Sequence, residues 1–384
     1  LVVREAIQKH YQASAPDFDC RPFIDYRQML TSTTTDIDAV LCATPDHLHA
    51  KVSVDSMRAG KHVYCEKPLT HSVDEARIVS KVAADTGVAT QLGNQGHSKD
   101  TIRQTCERIW AGAIGTVKEV HAWVPATRWN QTLIHPPTET MVTPEGLNWD
   151  LWCGPREPVG FHTAYAPVAW RDFWSFGCGA MGDFGCHDLD SATWALDLGM
   201  PKRIEMQAAG QTDPNMTPYG EVGRFEFDNA MTAGKSGPRG PVTVHWYSGG
   251  LHPTKPDQMK PGDSLPRRGV MFVGSDGILV CQGAGGASKI YPEVRRRQFQ
   301  EPEPTLKRVA GHHRDWIDAI KGGDPASSHF QYGAKLTEIT LLGIVALRAG
   351  EPIDYDAAAM KITNVDDANR LLRQPYRDGW TLDA

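Results

Sequence analysis

Residues 36–70 read DIDAVLCATPDHLHAKVSVDSMRAGKHVYCEKPLT. The run AVLC is short, apolar and followed by turn-forming residues. That pattern marks a strand buried on both faces, and the expected strand covers Asp38 to Ala43. PDHLHAKVSVDSMRAG then has helical apolar spacing and stops at Gly60. KHVYCEKP returns to a strand, His62 to Cys65, which Pro68 closes. A strand, a helix and a second strand of these lengths form a right-handed crossover, and so a parallel sheet.

The pattern continues downstream. SVDEARIVSKVAADTG is a helix with Ser72 as N-cap, Glu75 three residues later as its capping-box partner, and Gly87 at its end. VATQLGNQ is a third strand and TIRQTCERIWAGAIG a third helix. Ligands of such doubly wound sheets bind at the carboxyl ends of the strands. The loops Thr44 to His49, Glu66 to Leu69 and Gly93 to His97 should therefore line one crevice. Upstream, LVVREAIQKHYQ reads as a helix from Leu1. An opening strand, a glycine-rich phosphate loop and any export signal are expected to lie before Leu1.

After Lys118 the texture changes. EVHAWVPATRW alternates, and a Pro- and Trp-rich stretch runs to about Phe176. RIEMQAAGQ, GRFEFDN, VTVHWYSG, VMFVGS and GILVCQG are strand candidates for a mainly antiparallel sheet with one open face. HHRDWIDAIKG and AKLTEITLLGIVALRAG are helices expected to pack on one domain or bridge the two. The expected division is an α/β doubly wound domain over residues 1–117 and an α+β domain over residues 118–384.

The chain has 384 residues, 40% hydrophobic and 22% charged, with a net charge of -6. This is a soluble globular composition, and it argues against a basic nucleic-acid surface. No apolar run is long enough to span a membrane. The eight cysteines form no C-x-x-C and are expected as buried free thiols. GCGAMG, residues 177–182, fits the glycine pattern of a dinucleotide loop but follows WRDFWSF rather than an apolar strand. It is expected to be a tight turn before a helix that starts near Asp183. Asp183 and His187, four apart, would then share one helix face. Cys186 would point elsewhere, so a metal site with His187 and Asp190 is not expected.

ATPDHLHA and HVYCEKPLT, joined by a helix, and GDFGCHDLD far downstream together resemble the Gfo/Idh/MocA oxidoreductases. WDLWCGP, WRDFWSFGCGAMGDFGCH, GHHRDWIDAIKGG, LTEITLLGIVALRAG and YRDGW resemble a subgroup common in planctomycete and Bacteroidetes-type proteins. The resemblance implies a Rossmann-type domain binding NAD or NADP, and hydride transfer with a sugar, polyol or glycoside hydroxyl carbon. It gives Lys67, Asp183 and His187 the catalytic work, with His187 as acid/base. Thr44, Pro45, His47, His49, Glu66, Asn94, Gln95, Trp170 and Arg171 would border the cofactor. His162 and Tyr165, with His312 and His313, are candidates to meet substrate hydroxyls.

Each residue also has a plainer reading. Lys67 could pair with Glu66 at the surface, Asp183 could cap a helix, and Arg171 could stack between tryptophans. Trp129, Trp149, Trp152, Trp170 and Trp174 suit a carbohydrate cleft or a filled domain junction. An NAD-dependent glycoside hydrolase and a non-catalytic sugar-binding relative stay open as alternatives. A homo-oligomer through the open sheet face is expected. So is a cytoplasmic location, with the periplasm left open by the expected missing start.

Overall fold

A computed structural model of the chain describes residues 2–32, 37–235 and 237–382. Leu1, the first residue of the expected opening helix, lies outside them. The helices are α1 (Val2–Gln12), α2 (Tyr26–Ser32), α3 (Asp46–Arg58), α4 (Val73–Thr86), α5 (Asp100–Trp110), α6 (Trp149–Cys153), α7 (Gly179–Asp188), α8 (Asp190–Ala195), α9 (Glu293–Gln298), α10 (His312–Ile320) and α11 (Phe330–Ala349). The strands are β1 (Ala39–Cys42), β2 (His62–Cys65), β3 (Thr90–Leu92), β4 (Val117–Trp123), β5 (Arg203–Ala209), β6 (Gly220–Met231), β7 (Arg239–Tyr247), β8 (Gly269–Gly274), β9 (Ile278–Gln282), β10 (Ser288–Tyr291), β11 (Ile353–Asp356) and β12 (Lys361–Ile362).

β1, β2 and β3 form the expected parallel sheet, with Cys42 beside Cys65 and Cys65 beside Leu92. β3 and most of β2 are buried, but β1 is an edge strand: it buries Val40 and Cys42 and leaves Leu41 54% exposed, so the expectation of burial on both faces fails there. α4 begins as its sequence predicts. Glu75 Oε2 accepts from the backbone N–H of Ser72 at 3.0 Å and of His71 at 2.8 Å. The Ser72 side chain accepts from the Glu75 backbone N–H, completing the capping box, and its hydroxyl donates to Asp74 Oδ1 at 2.6 Å. Gly87 ends the helix at φ 66°, a left-handed conformation that glycine adopts without a Cβ clash.

The remaining strands form one sheet in the order β10-β9-β8-β4-β7-β6-β5-β11-β12. All its joints are antiparallel except β4 with β7. One face is covered by α7 and α11. The other carries Glu119, His121, His245, Arg224 and Glu205 in neighbouring registers, and these are half-buried or exposed. α11 packs on α4, α7 and β5, so it touches both layers. Arg77 of α4 holds Glu338 of α11 at 2.6 Å.

Three expectations on extent change. The third strand is only Thr90–Leu92, and α11 starts at Phe330, four residues before Ala334. α7 starts at Gly179, so Asp183 lies inside the helix and does not cap it.

The α7–α11 contact is close because Gly185 faces Thr340. A Cβ at Gly185 would lie 2.6 Å from Thr340 Cγ2. Gly185→Val is therefore expected to destabilise the fold by about 1–3 kcal/mol through overpacking. A shift in the denaturant midpoint measures it, and an unchanged midpoint would show that the helices separate freely.

Candidate active site

The crevice opens where the carboxyl ends of β1 and β2 face α7. β2 delivers Lys67 on the loop that Pro68 closes. α7 delivers Asp183 from its second turn and His187 one turn later. The Lys67 ammonium holds the Asp183 carboxylate directly and donates to the Asp183 backbone carbonyl at 2.8 Å. Both side chains are largely buried, at 17% and 10% exposure, so the pair is desolvated and fixed. Lys67 thus pairs across the crevice and not with its neighbour Glu66. Arg171 Nε approaches the same carboxylate at 3.7 Å. Its guanidinium stacks on Trp170 at 4.1 Å and lies over Trp129 at 5.3 Å. Arg171 is therefore stacked on tryptophan, as its plainer reading expects, and also faces the Asp183 carboxylate.

His187 has a buried Nδ1 without a hydrogen-bond partner, while the residue keeps a part-exposed edge. Burial, and then the positive charges of Lys67 and Arg268, hold its pKa down to about 3. The ring is neutral at pH 7. A cleft of about 570 Å³ adjoins the pair, lined among others by Thr44, Pro45, Trp152, Phe161, Trp170 and Arg171. Lys67, Asp183 and His187 are not in its lining; Arg171, which is, joins the cleft to the Asp183 carboxylate.

The other sequence candidates take supporting places. His47 is fully buried, its ring nitrogens 3.2 Å from Phe176 O and 2.8 Å from Trp152 O. His49 is buried with its nitrogens 2.6 Å from Pro68 O and 2.7 Å from Thr44 O. Both histidines tie loops together and neither lines the cleft. Asn94 is buried, donating to Asp190 at 3.1 Å and accepting from Ser328 at 2.7 Å. Gln95 donates to Tyr64 at 3.0 Å and to Glu66 at 3.1 Å, so Glu66 and Gln95 buttress each other at the ends of β2 and β3. His162 Nδ1 accepts from the Ala164 N–H at 3.0 Å, and Tyr165 packs among Trp149, Phe173 and Phe176. Their neighbours Phe161, Thr163, Ala166 and Pro167 line the cleft in their place. His312 is spent on Leu92 O and Ser98 Oγ, both at 2.7 Å, and His313 stacks on Tyr64. Of the five tryptophans, Trp152 and Trp170 line the cleft, Trp149 stacks on Trp152, Trp174 is in the core and Trp129 is exposed.

One family model, described as an oxidoreductase family with an NAD-binding Rossmann fold, matches residues 2–94. A second, the C-terminal alpha/beta domain of an oxidoreductase family, matches residues 121–232 and 281–382. The chain belongs to the Gfo/Idh/MocA oxidoreductase family. Levoglucosan dehydrogenase of Pseudarthrobacter phenanthrenivorans is 24% identical over 222 residues, 57% of this chain and 46% of that protein. The chain therefore spans about half the length of that curated relative. Inositol 2-dehydrogenase 1 of Mycolicibacterium vanbaalenii is 22% identical over 92% of this chain and 87% of its own. Among solved structures, the WlbA dehydrogenase of Bordetella pertussis, in complex with NADH and UDP-GlcNAcA, has a TM-score of 0.59 at 18% identity. It covers 92% of this chain and 88% of its own. The family fold thus accounts for the two sheets and identifies the parallel one as an NAD-binding Rossmann sheet.

Two carboxyls escaped the sequence reading. Asp46, in the first turn of α3, accepts from the Cys178 N–H at 3.2 Å and so links the β1 loop to the start of α7. Its local sequence looks like any helix N-terminus, and its burial comes from a segment 132 residues away. Glu221 lies near Gly179 at the start of α7, where burial pushes its carboxyl up to about 7.

Burial, reinforced by the nearby Asp183 carboxylate, raises Asp46 to about 6 from an ordinary 3.8. A carboxyl raised on folding binds more protons in the native state. Its contribution is present below pH 3.8 and is lost as pH rises through about 6. Asp46→Asn is therefore expected to gain stability relative to the parent as pH goes from 4 to 7. Parallel pH-stability curves for the two proteins would contradict the burial of this charge.

Proposed function

We propose that the chain is an NAD(P)-dependent oxidoreductase acting on a hydroxyl carbon of a sugar, polyol or glycoside. The observation that carries this reading is the Lys67–Asp183 pair, with His187 one turn further, beside a cleft at the carboxyl ends of the parallel strands. The proposed division into residues 1–117 and 118–384 puts that cleft between a cofactor domain and a substrate domain.

When bound, the nicotinamide supplies the centre that accepts or returns the hydride of the CH–OH carbon. Thr44 and Pro45 would hold that group from the Rossmann side, and Trp170 and Arg171 from the side of the second domain. The Lys67 ammonium donates a hydrogen bond to the reacting oxygen and stabilises the charge that develops there. Asp183 holds Lys67 in place and accepts from a neighbouring hydroxyl. His187 is neutral and able to take the hydroxyl proton. Its part-exposed edge would give that proton a route to solvent.

Assayed with NAD or NADP and a panel of sugars and polyols, the protein should produce one reduced nicotinamide per product. Lys67→Met and His187→Asn should each lower kcat/KM by about 10²–10⁴-fold. Undiminished turnover in both variants would overturn the roles, and activity without net cofactor reduction would favour hydrolysis. The half-open sheet face is the proposed contact between copies in a homo-oligomer. Light scattering should give a multiple of the chain mass, and a monomer at all concentrations would refute that contact. No helix among the described residues is long and apolar enough to cross a membrane. The eight free cysteines favour a reducing, cytoplasmic compartment.

A further inference from the structure

We propose that Glu119 and His121 of β4 and His245 of β7 form a binding site for a zinc-class divalent metal ion on the sheet face away from the crevice. One ligand atom from each lies within 4.8 Å of the others. His121 and His245 are register partners across the parallel β4–β7 joint, and Glu119 sits two residues before His121 on the same face. The pleat of the sheet, and no loop, sets their spacing.

The local geometry favours an ion over a plain ion pair. His121 Nε2 stands 3.5 Å from Glu119 Oε2, longer than a good hydrogen bond between a ring N–H and a carboxylate. Two tetrahedral ligands at zinc distances of about 2.0–2.1 Å are themselves about 3.3 Å apart. The other nitrogen, His121 Nδ1, lies 3.2 Å from the Tyr247 hydroxyl. Such an outer partner fixes the ring and leaves Nε2 to face the ion. The His121 and His245 rings stack at 4.5 Å and 9°, so one ring must turn out of the stack for both nitrogens to reach a shared ion. Imidazole and carboxylate donors suit zinc and its neighbours over calcium or magnesium. The ion would cross-link the one parallel joint among the described strands of this sheet.

A second cluster, Cys42, His49 and Cys65, lies equally close but is a poor site. Both His49 nitrogens are taken by the carbonyls of Pro68 and Thr44. It serves as the internal control.

The test uses untagged full-length protein, stripped with chelator and dialysed against zinc, with metal content and melting temperature measured together. The proposal expects one zinc per chain and a higher melting temperature. His121→Gln and His245→Gln should lose both, Tyr247→Phe should bind about 10-fold more weakly, and Cys65→Ser should bind as the parent does. Circular dichroism confirms that the variants fold. If a histidine variant does not, Glu119→Gln, at an exposed position, must weaken binding in its place. No zinc uptake, uptake that survives both histidine substitutions, or uptake lost only in Cys65→Ser would overturn the proposal.

Discussion

The ion pair between Lys67 and Asp183 is the constraint on which the site depends. Its partners are 116 residues apart in sequence. One comes from the loop after a parallel strand, the other from a helix packed on the large sheet. Neither element alone could bury its charge, since a lone buried ammonium or carboxylate costs several kcal/mol. Joined, they are fixed in register across the crevice, which is what the proposed role of the Lys67 ammonium requires.

Around that pair, buried polar groups hold the two sides together. Arg156 donates to Glu75 at 2.9 Å and to His71 Nδ1 at 3.1 Å, and the Tyr376 hydroxyl reaches Glu75 at 2.6 Å. The capping glutamate of α4 is thus also an anchor for the C-terminal segment. Asp190 collects His97 at 2.9 Å, Asn94 at 3.1 Å and Tyr332 at 2.5 Å beneath the third strand-end loop. Such networks restrict the loops above them to one arrangement, although the buried Arg156 Nε has no hydrogen-bond partner.

Local patterns made much of this legible in the sequence. The apolar runs of β1 and β2, the Ser72–Glu75 start of α4 and the stop at Gly87 depend on neighbours within one turn. Lys67, Asp183 and His187 were legible because the motifs that carry them are specific. His47, His49 and Asn94 were assigned to the cofactor side because they sit in loops at strand ends. Their side chains in fact turn inward, to carbonyls and carboxylates supplied by distant segments such as Trp152, Phe176 and Asp190. No spacing rule encodes that choice. The short strands β10, β11 and β12 escaped for a similar reason, since a two- to four-residue strand exists only by pairing with a partner. The parallel β4–β7 joint is a fact of topology and not of composition.

The most direct test of the account is a titration of the full-length chain with NADH, exciting the cleft tryptophans and reading energy transfer to the nicotinamide. The account predicts saturable transfer that NAD or NADP displaces. Arg171→Leu should weaken it by about tenfold, as befits the loss of one charge-assisted contact of about 1.5 kcal/mol. No saturable transfer in the parent protein, or an Arg171→Leu titration that overlays it, would contradict the placement of the cofactor in this crevice.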